Sequence, residues 1–269
     1  MRRAMYHEPP AVFDHLLALP LWAMALLIVG AWLLLAAAIH RWLVPWLVGR
    51  KASDFGRFET EVASQLGIAF GLLLSFNAVD VWSRIGDARN AVMDEASALR
   101  EAADQIDHLP EALRRHGQAL LHGHLDTVVT REWPLLGSGR APLERPSTLR
   151  DLAGFARSSG DEDLEDLISA ATRAREDRVR ISAHRMLPLR WVIVFLLGAF
   201  TLLALGLAHG EHPVARRLAL GLSALAIASC FAVLFAQARP FLGPLALQPN
   251  ELRALAATLE SPQAHRADN

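Results

Sequence analysis

The chain has a single cysteine, a single tyrosine and, among its 27 basic side chains, a single lysine, Lys51. One cysteine, Cys230, excludes an intramolecular disulfide, a cysteine-built metal centre and a Cys-x-x-Cys redox pair. The net charge of -1 leaves no basic excess with which to hold a nucleic acid. The sequence contains no Gly-x-Ser-x-Gly, no His-Glu-x-x-His and no phosphate-cradling glycine loop, so it carries no signature of an enzyme and implies no cofactor. Strand-like alternation of any length is also missing, which points to an all-α fold. The preference for arginine over lysine, alongside abundant Ala and Leu, reads as coding bias.

What the chain does have is apolar sequence: 52% of its 269 residues are hydrophobic. The apolar residues gather in four runs, Leu16 to Leu43, Val62 to Trp82, Leu189 to Leu207 and Leu218 to Ala238. Each is long enough to cross a hydrocarbon core of ~30 Å at ~1.5 Å per residue. Trp22 and Trp42 lie near the two ends of the first run, as interfacial anchors should. That run is too long for a signal-peptide core and is followed by no small-residue cleavage site, so it is read as a retained helix. Four buried core helices of this length in so short a chain are a poor alternative.

Arginine placement sets the expected orientation. Between runs two and three lie about a hundred polar residues, Ser83 to Pro188. They carry Arg84, Arg89 and Arg100 near one membrane end, and Arg173, Arg175, Arg178, Arg180 and Arg185 near the other. The bias places this region in the cytoplasm. Both termini follow it, which suits Arg2, Arg3 and Arg239. Arg41, Arg50, Lys51, Arg57, Arg216 and Arg217 vote the other way and are outnumbered. The expected organisation is therefore two transmembrane helices with a short connecting loop in 1–82, a cytoplasmic helical domain in 83–188, two further transmembrane helices in 189–238, and a cytoplasmic tail in 239–269.

Within the polar region, Ile85, Ala88, Val92, Leu99, Ala103 and Ile106 continue a helical stripe directly out of run two, up to a stop at Pro110. A second stripe runs from Leu113 to Trp133, and Pro134 to Pro146 reads as a loop. A last polar helix should start near Ser159 or Asp161 and reach Met186, with Leu164, Leu167, Ile168, Ala171 and Ile181 inward. Its acidic start, Asp161 to Asp166, complements the helix dipole better than it matches a calcium loop. His116, His122 and His124 do not converge on one side of a helix, and His209 and His212 around Glu211 read as exposed loop histidines, so no metal site is expected.

One constellation remains. On run two, Ile68, Leu72, Phe76, Asp80 and Arg84 succeed one another at i, i+4 spacing: three apolar side chains, then two charged ones. In an isolated membrane helix the apolar three would meet lipid or a neighbouring helix. If several copies of the chain surround an axis, the same face makes an apolar constriction with a wet, charged mouth at Asn77, Asp80 and Arg84. An Asp80 ring would attract cations and an Arg84 ring anions, so charge preference stays open. Gly67-x-x-x-Gly71 on the same run is a small-xxx-small pair that lets another helix approach.

At these residues the sequence resembles the bestrophins, and more closely their bacterial bestrophin-like relatives. The family pattern Leu-Gly-Phe-Arg-Asn, an aromatic, Arg, then Trp-Glu-Ala-Arg is met here by Leu74-Ser75-Phe76-Asn77, Trp82, Arg84 and Gly86-Asp87-Ala88-Arg89. A Cys-Glu-Arg-Ile stretch leading to a proline is matched by Glu176-Asp177-Arg178-Val179 and Pro188. Acidic-Pro-Phe-Gly followed by an acidic-Leu pair is matched by Arg239-Pro240-Phe241-Leu242-Gly243 and Glu251-Leu252. The likeness extends in order from about Ala63 to Leu255. It implies a pentameric anion channel in the bacterial inner membrane, lined by the second helix, with Ile68, Leu72 and Phe76 as the neck. Asn77 replaces the family's Arg, and Arg239 replaces the acidic residue before Pro-Phe, so the calcium clasp of animal bestrophins is not supported. The expected partners are lipid, further copies of the chain and inorganic ions. The rival reading is a non-conducting membrane scaffold that recruits a soluble partner through its cytoplasmic helices, for which an exposed apolar patch on Ile85–Ile106 would speak.

Overall fold

The computed structural model describes residue 16 and residues 19–48, 56–138, 140–141, 143–183, 188–210 and 212–260. Arg2, Arg3, Arg50, Lys51, Arg185, Met186 and Glu211, used in the readings above, lie outside them, as does the side chain of Arg57. Every regular element among the described residues is helical. In chain order these are α1 (Leu21–Ala38), α2 (Val44–Val48), α3 (Gly56–Asp107), α4 (Glu111–Thr127), α5 (Trp133–Ser138), α6 (Ser147–Ser159), α7 (Glu162–Ala183), α8 (Pro188–Ala208), α9 (Pro213–Ala236) and α10 (Asn250–Glu260). Single π-turns, Ile39–Leu43 and Val128–Glu132, join α1 to α2 and α4 to α5. Four stretches are long and apolar enough to cross a membrane: Leu21–Leu47, Glu61–Asp107, Leu189–Ala208 and Pro213–Ala236.

The chain forms two compact units. The first comprises residues 1–82, 186–238 and 243–245 and holds the apolar helices. Its core is an aromatic stack: the Trp32 ring lies 4.9 Å from Phe195 and 5.2 Å from Phe231, and Trp191 lies 4.3 Å from Phe235. Large rings fit there because α8 presents a glycine to them. A Cβ at Gly198 would stand 2.8 Å from the Trp32 ring and 3.1 Å from Phe70. Further along α8, a Cβ at Gly206 would stand 2.9 Å from Ile39.

The second unit comprises residues 83–185, 239–242 and 246–269. The stripe leaving run two is buried here at Ala88, Val92, Leu99, Ala103 and Ile106, against Leu121, Leu125, Leu152, Phe155, Leu164 and Ile168. As expected, the helix that carries it stops just before Pro110, at Asp107. Two expectations need correction. The stretch after Trp133 is helical to Ser138 rather than a loop from Pro134 onward. A further helix, α6, precedes the last polar one, which itself runs from Glu162 to Ala183. The α6 pattern is easy to overlook: its inward residues, Leu149, Leu152, Phe155 and Ala156, are few and lie close behind a Gly- and Pro-rich stretch. Gly160, at φ 75°, turns the chain between α6 and α7 in the left-handed region open to glycine. Asp161 then caps α7, accepting the Leu164 N–H at 3.0 Å. That bond, joined by one from Gln105, holds the Asp161 carboxyl below its usual range.

Candidate functional site: the exposed face of α3

Within the first unit α3 has two unlike sides. Phe70 is buried in the apolar core, with Leu73 and Leu74 packed against it. On the other side Ile68, Leu72 and Phe76 are 69%, 58% and 64% exposed, a line of large apolar side chains left largely open by the described residues. Gly71 belongs to that open side, since a Cβ there would meet nothing within 4 Å. Gly67 instead faces α8, where a Cβ would stand 3.9 Å from Thr201.

The polar residues that follow do not simply continue the line. A step of four residues turns an α-helix by about 40°, so each i+4 neighbour moves further round. By Asp80 the rotation has reached α8, and Asp80 Oδ2 accepts a bond from Arg190 Nη1 at 3.2 Å. Asn77 is nearly buried and donates from Nδ2 to the Leu73 carbonyl at 2.8 Å, returning its polar hydrogen to its own helix. Arg84 is half-buried. The Trp82 indole N–H donates to Gln237 Oε1 at 2.7 Å. Leu73, Phe76, Asn77, Asp80, Arg190 and Ile193 line a half-open cavity of about 410 Å³ that holds apolar and charged side chains together. The structure thus brings Phe76, Asn77 and Asp80 around one space and adds Arg190, which the sequence pattern had not singled out.

A second constellation, which the reading of apolar stripes did not assemble, lies in the second unit. Arg178 on α7 grips both oxygens of Glu95 on α3, with Nε to Oε2 at 2.6 Å and Nη2 to Oε1 at 3.0 Å. It also reaches Glu132 Oε1 at 2.7 Å, while Arg175 binds the other oxygen of Glu132 at 2.7 Å. All four side chains are buried, and the Trp133 ring lies 5.3 Å from the Arg178 guanidinium carbon. Two carboxylates and two guanidiniums balance, which is what makes burial of four charges tolerable. Burial pushes the Glu95 carboxyl upward, against the pull of Arg178. For Arg178, burial acts downward but the facing Glu95 and Glu132 outweigh it, so its pKa is raised. Nearby His124 is buried with Nδ1 3.2 Å from the Thr148 hydroxyl, and its pKa falls to about 4, through burial first and the two arginines second, with Glu132 opposing. On the same helix His116 packs against the Phe155 ring in a T-shaped contact. Among the described residues no three His, Cys, Asp or Glu side chains gather as a metal site would require.

The two units together define an all-helical membrane protein, in which the second apolar helix of four presents an open apolar line and carries on into a polar helical unit. The family model described as a Bestrophin-like domain matches residues 31–252, and the chain belongs to that family. A bacterial bestrophin homologue from Klebsiella pneumoniae, solved as a point variant, shares the fold at a TM-score of 0.67 and 14% identity, covering 89% of this chain and 96% of that one. A second crystal structure, of a membrane protein variant, matches at a TM-score of 0.65 and 14% identity, covering 87% and 97%. A comparison with curated proteins returned no match. Identity this low carries the fold and leaves the chemistry of the site to be argued from this chain's own residues.

Proposed function

We propose that the protein is an oligomeric ion channel of the bacterial inner membrane. Its neck is Ile68, Leu72 and Phe76, and its mouth Asn77, Asp80 and Arg84. The observation that carries the reading is the exposure of those three apolar side chains on a helix whose other side is packed. Copies arranged about an axis would turn that face away from lipid and onto a central pore, where an apolar ring of this kind gates by dewetting. The resemblance to bestrophins supplies the pentamer and the preference for anions. The positive-inside bias supplies a cytoplasmic second unit and cytoplasmic termini. Gly71, open within the single chain, is available to a neighbouring copy. The scaffold reading finds less support: the Ile85–Ile106 stripe is spent on the unit's own core, and Met93 is the one large exposed apolar side chain among the described residues of that segment.

The test is current through the purified protein in a planar bilayer under a salt gradient, wild type beside Phe76→Ala. Widening the last ring should raise current or leak, and the reversal potential gives the sign of the permeant ion. Silence from both proteins, with the oligomer intact, would overturn the channel reading in favour of the scaffold.

A further inference from the structure

We propose that Arg190, which lies outside the neck and the mouth as read from the sequence, determines the charge preference of the pathway, with Asp80 as its brake. The proposal rests on the channel reading above. α8 brings a guanidinium to Asp80: Arg190 Nη1 stands 3.2 Å from Asp80 Oδ2. Of the side chains that line the cavity these two carry charge, so losing Arg190 would leave a carboxylate there and losing Asp80 a guanidinium. An oligomer repeats the pair around its axis, and low-dielectric apolar walls such as Leu73, Phe76 and Ile193 focus its field rather than screen it.

The position matters as much as the sign. Arg190 shares its cavity of about 410 Å³ with Phe76, the last ring of the proposed neck, so an ion crossing that ring meets Arg190 and Asp80 next. Both partners keep access to solvent, the Arg190 side chain at 52% and the Asp80 side chain at 33%. An ion pair this open is held weakly, and a passing anion can compete with Asp80 for the guanidinium. Arginine is well matched to such a position. Its guanidinium is always charged, weakly hydrated and rich in donors, so an anion that has shed part of its water finds replacement hydrogen bonds there.

A purely structural role, tying α3 to α8 at a membrane edge, makes a different prediction. Loss of either partner would break the same tie and change behaviour in the same direction. Under the charge assignment the two losses act oppositely. Reversal potentials would be measured for the full-length protein in planar bilayers under a KCl gradient, as wild type, Arg190→Gln, Asp80→Asn and Arg190→Lys. The anion-to-cation permeability ratio should fall roughly fivefold in Arg190→Gln, rise by a similar factor in Asp80→Asn, and hold in Arg190→Lys. If Arg190→Gln does not assemble, Asp80→Asn against Arg190→Lys carries the test. Current in every variant with selectivity unchanged, or with Arg190→Gln and Asp80→Asn shifted the same way, overturns the assignment and leaves the channel standing. An intact wild-type oligomer that passes no current overturns the channel, and this assignment with it.

Discussion

Removing Glu95 should be the most damaging single change in the second unit, and its cost follows from the geometry. Glu95 is fully buried and takes two bonds from Arg178, at 2.6 and 3.0 Å. In Glu95→Ala, Arg178 keeps only the carboxylate of Glu132, which Arg175 also holds, so Arg175, Arg178 and Glu132 carry a net positive charge in the core. Breaking a buried pair from one side costs about 3–5 kcal/mol, a large share of the ~5–15 kcal/mol that holds a typical domain together. On a unit of this size that corresponds to a fall in Tm of roughly 10 °C or more. Glu95→Gln keeps the shape but loses the charge, and should fall in between. The informative variant is the double one, Glu95→Leu with Arg178→Met, which removes charge from both sides and should recover much of the loss, because the pair's net worth is far smaller than the cost of orphaning one member. The assay is thermal unfolding of the detergent-purified protein by circular dichroism, with all variants at matched concentration. A Glu95→Ala protein within about 1 kcal/mol of wild type would refute the reasoning, and so would a double variant no better than the single one.

Two further outcomes follow from packing and titration. His124 is neutral when folded, with a pKa lowered from 6.5 to about 4; the unfolded chain therefore binds the extra proton first, and stability that is complete above pH 6.5 drains away as pH falls toward 4. The loss should reach roughly 3 kcal/mol, and Tm measured against pH should flatten over this window in His124→Gln. Gly198→Ala places a methyl group 2.8 Å from the Trp32 ring and should destabilise the first unit by about 1–3 kcal/mol. Gly71→Ala, with open space at the same atom, should leave monomer folding unchanged, and tryptophan fluorescence during thermal unfolding separates the two.

Much of the buried charge cluster was written in the sequence in a form that is easy to pass over. Val92, Glu95 and Leu99 are successive positions of one inward stripe, as are Leu125, Val128 and Glu132, and as are Ile168, Ala171, Arg175 and Arg178. Four charged residues at inward positions on three segments, two of each sign, form a readable signal. Reading only the apolar members of a stripe discards it. Arg178 did surface in the family resemblance, but without its partners it had no physical role to play.

The sequence by itself determined the helical class, the four apolar helices and the i, i+4 line Ile68, Leu72, Phe76. All of these are one-dimensional properties: length in apolar residues, helical period, and the prolines that stop it. Tertiary structure alone decided which sides of those helices are covered. It left the apolar line of α3 open, turned Asp80 onto Arg190 across 110 positions of sequence, and closed Glu95 on Arg178 across 83. The reason is that an ion pair is set by distance and burial, and chain separation fixes neither. Periodicity says which residues share a face of one helix, and packing alone says which other helix that face will meet.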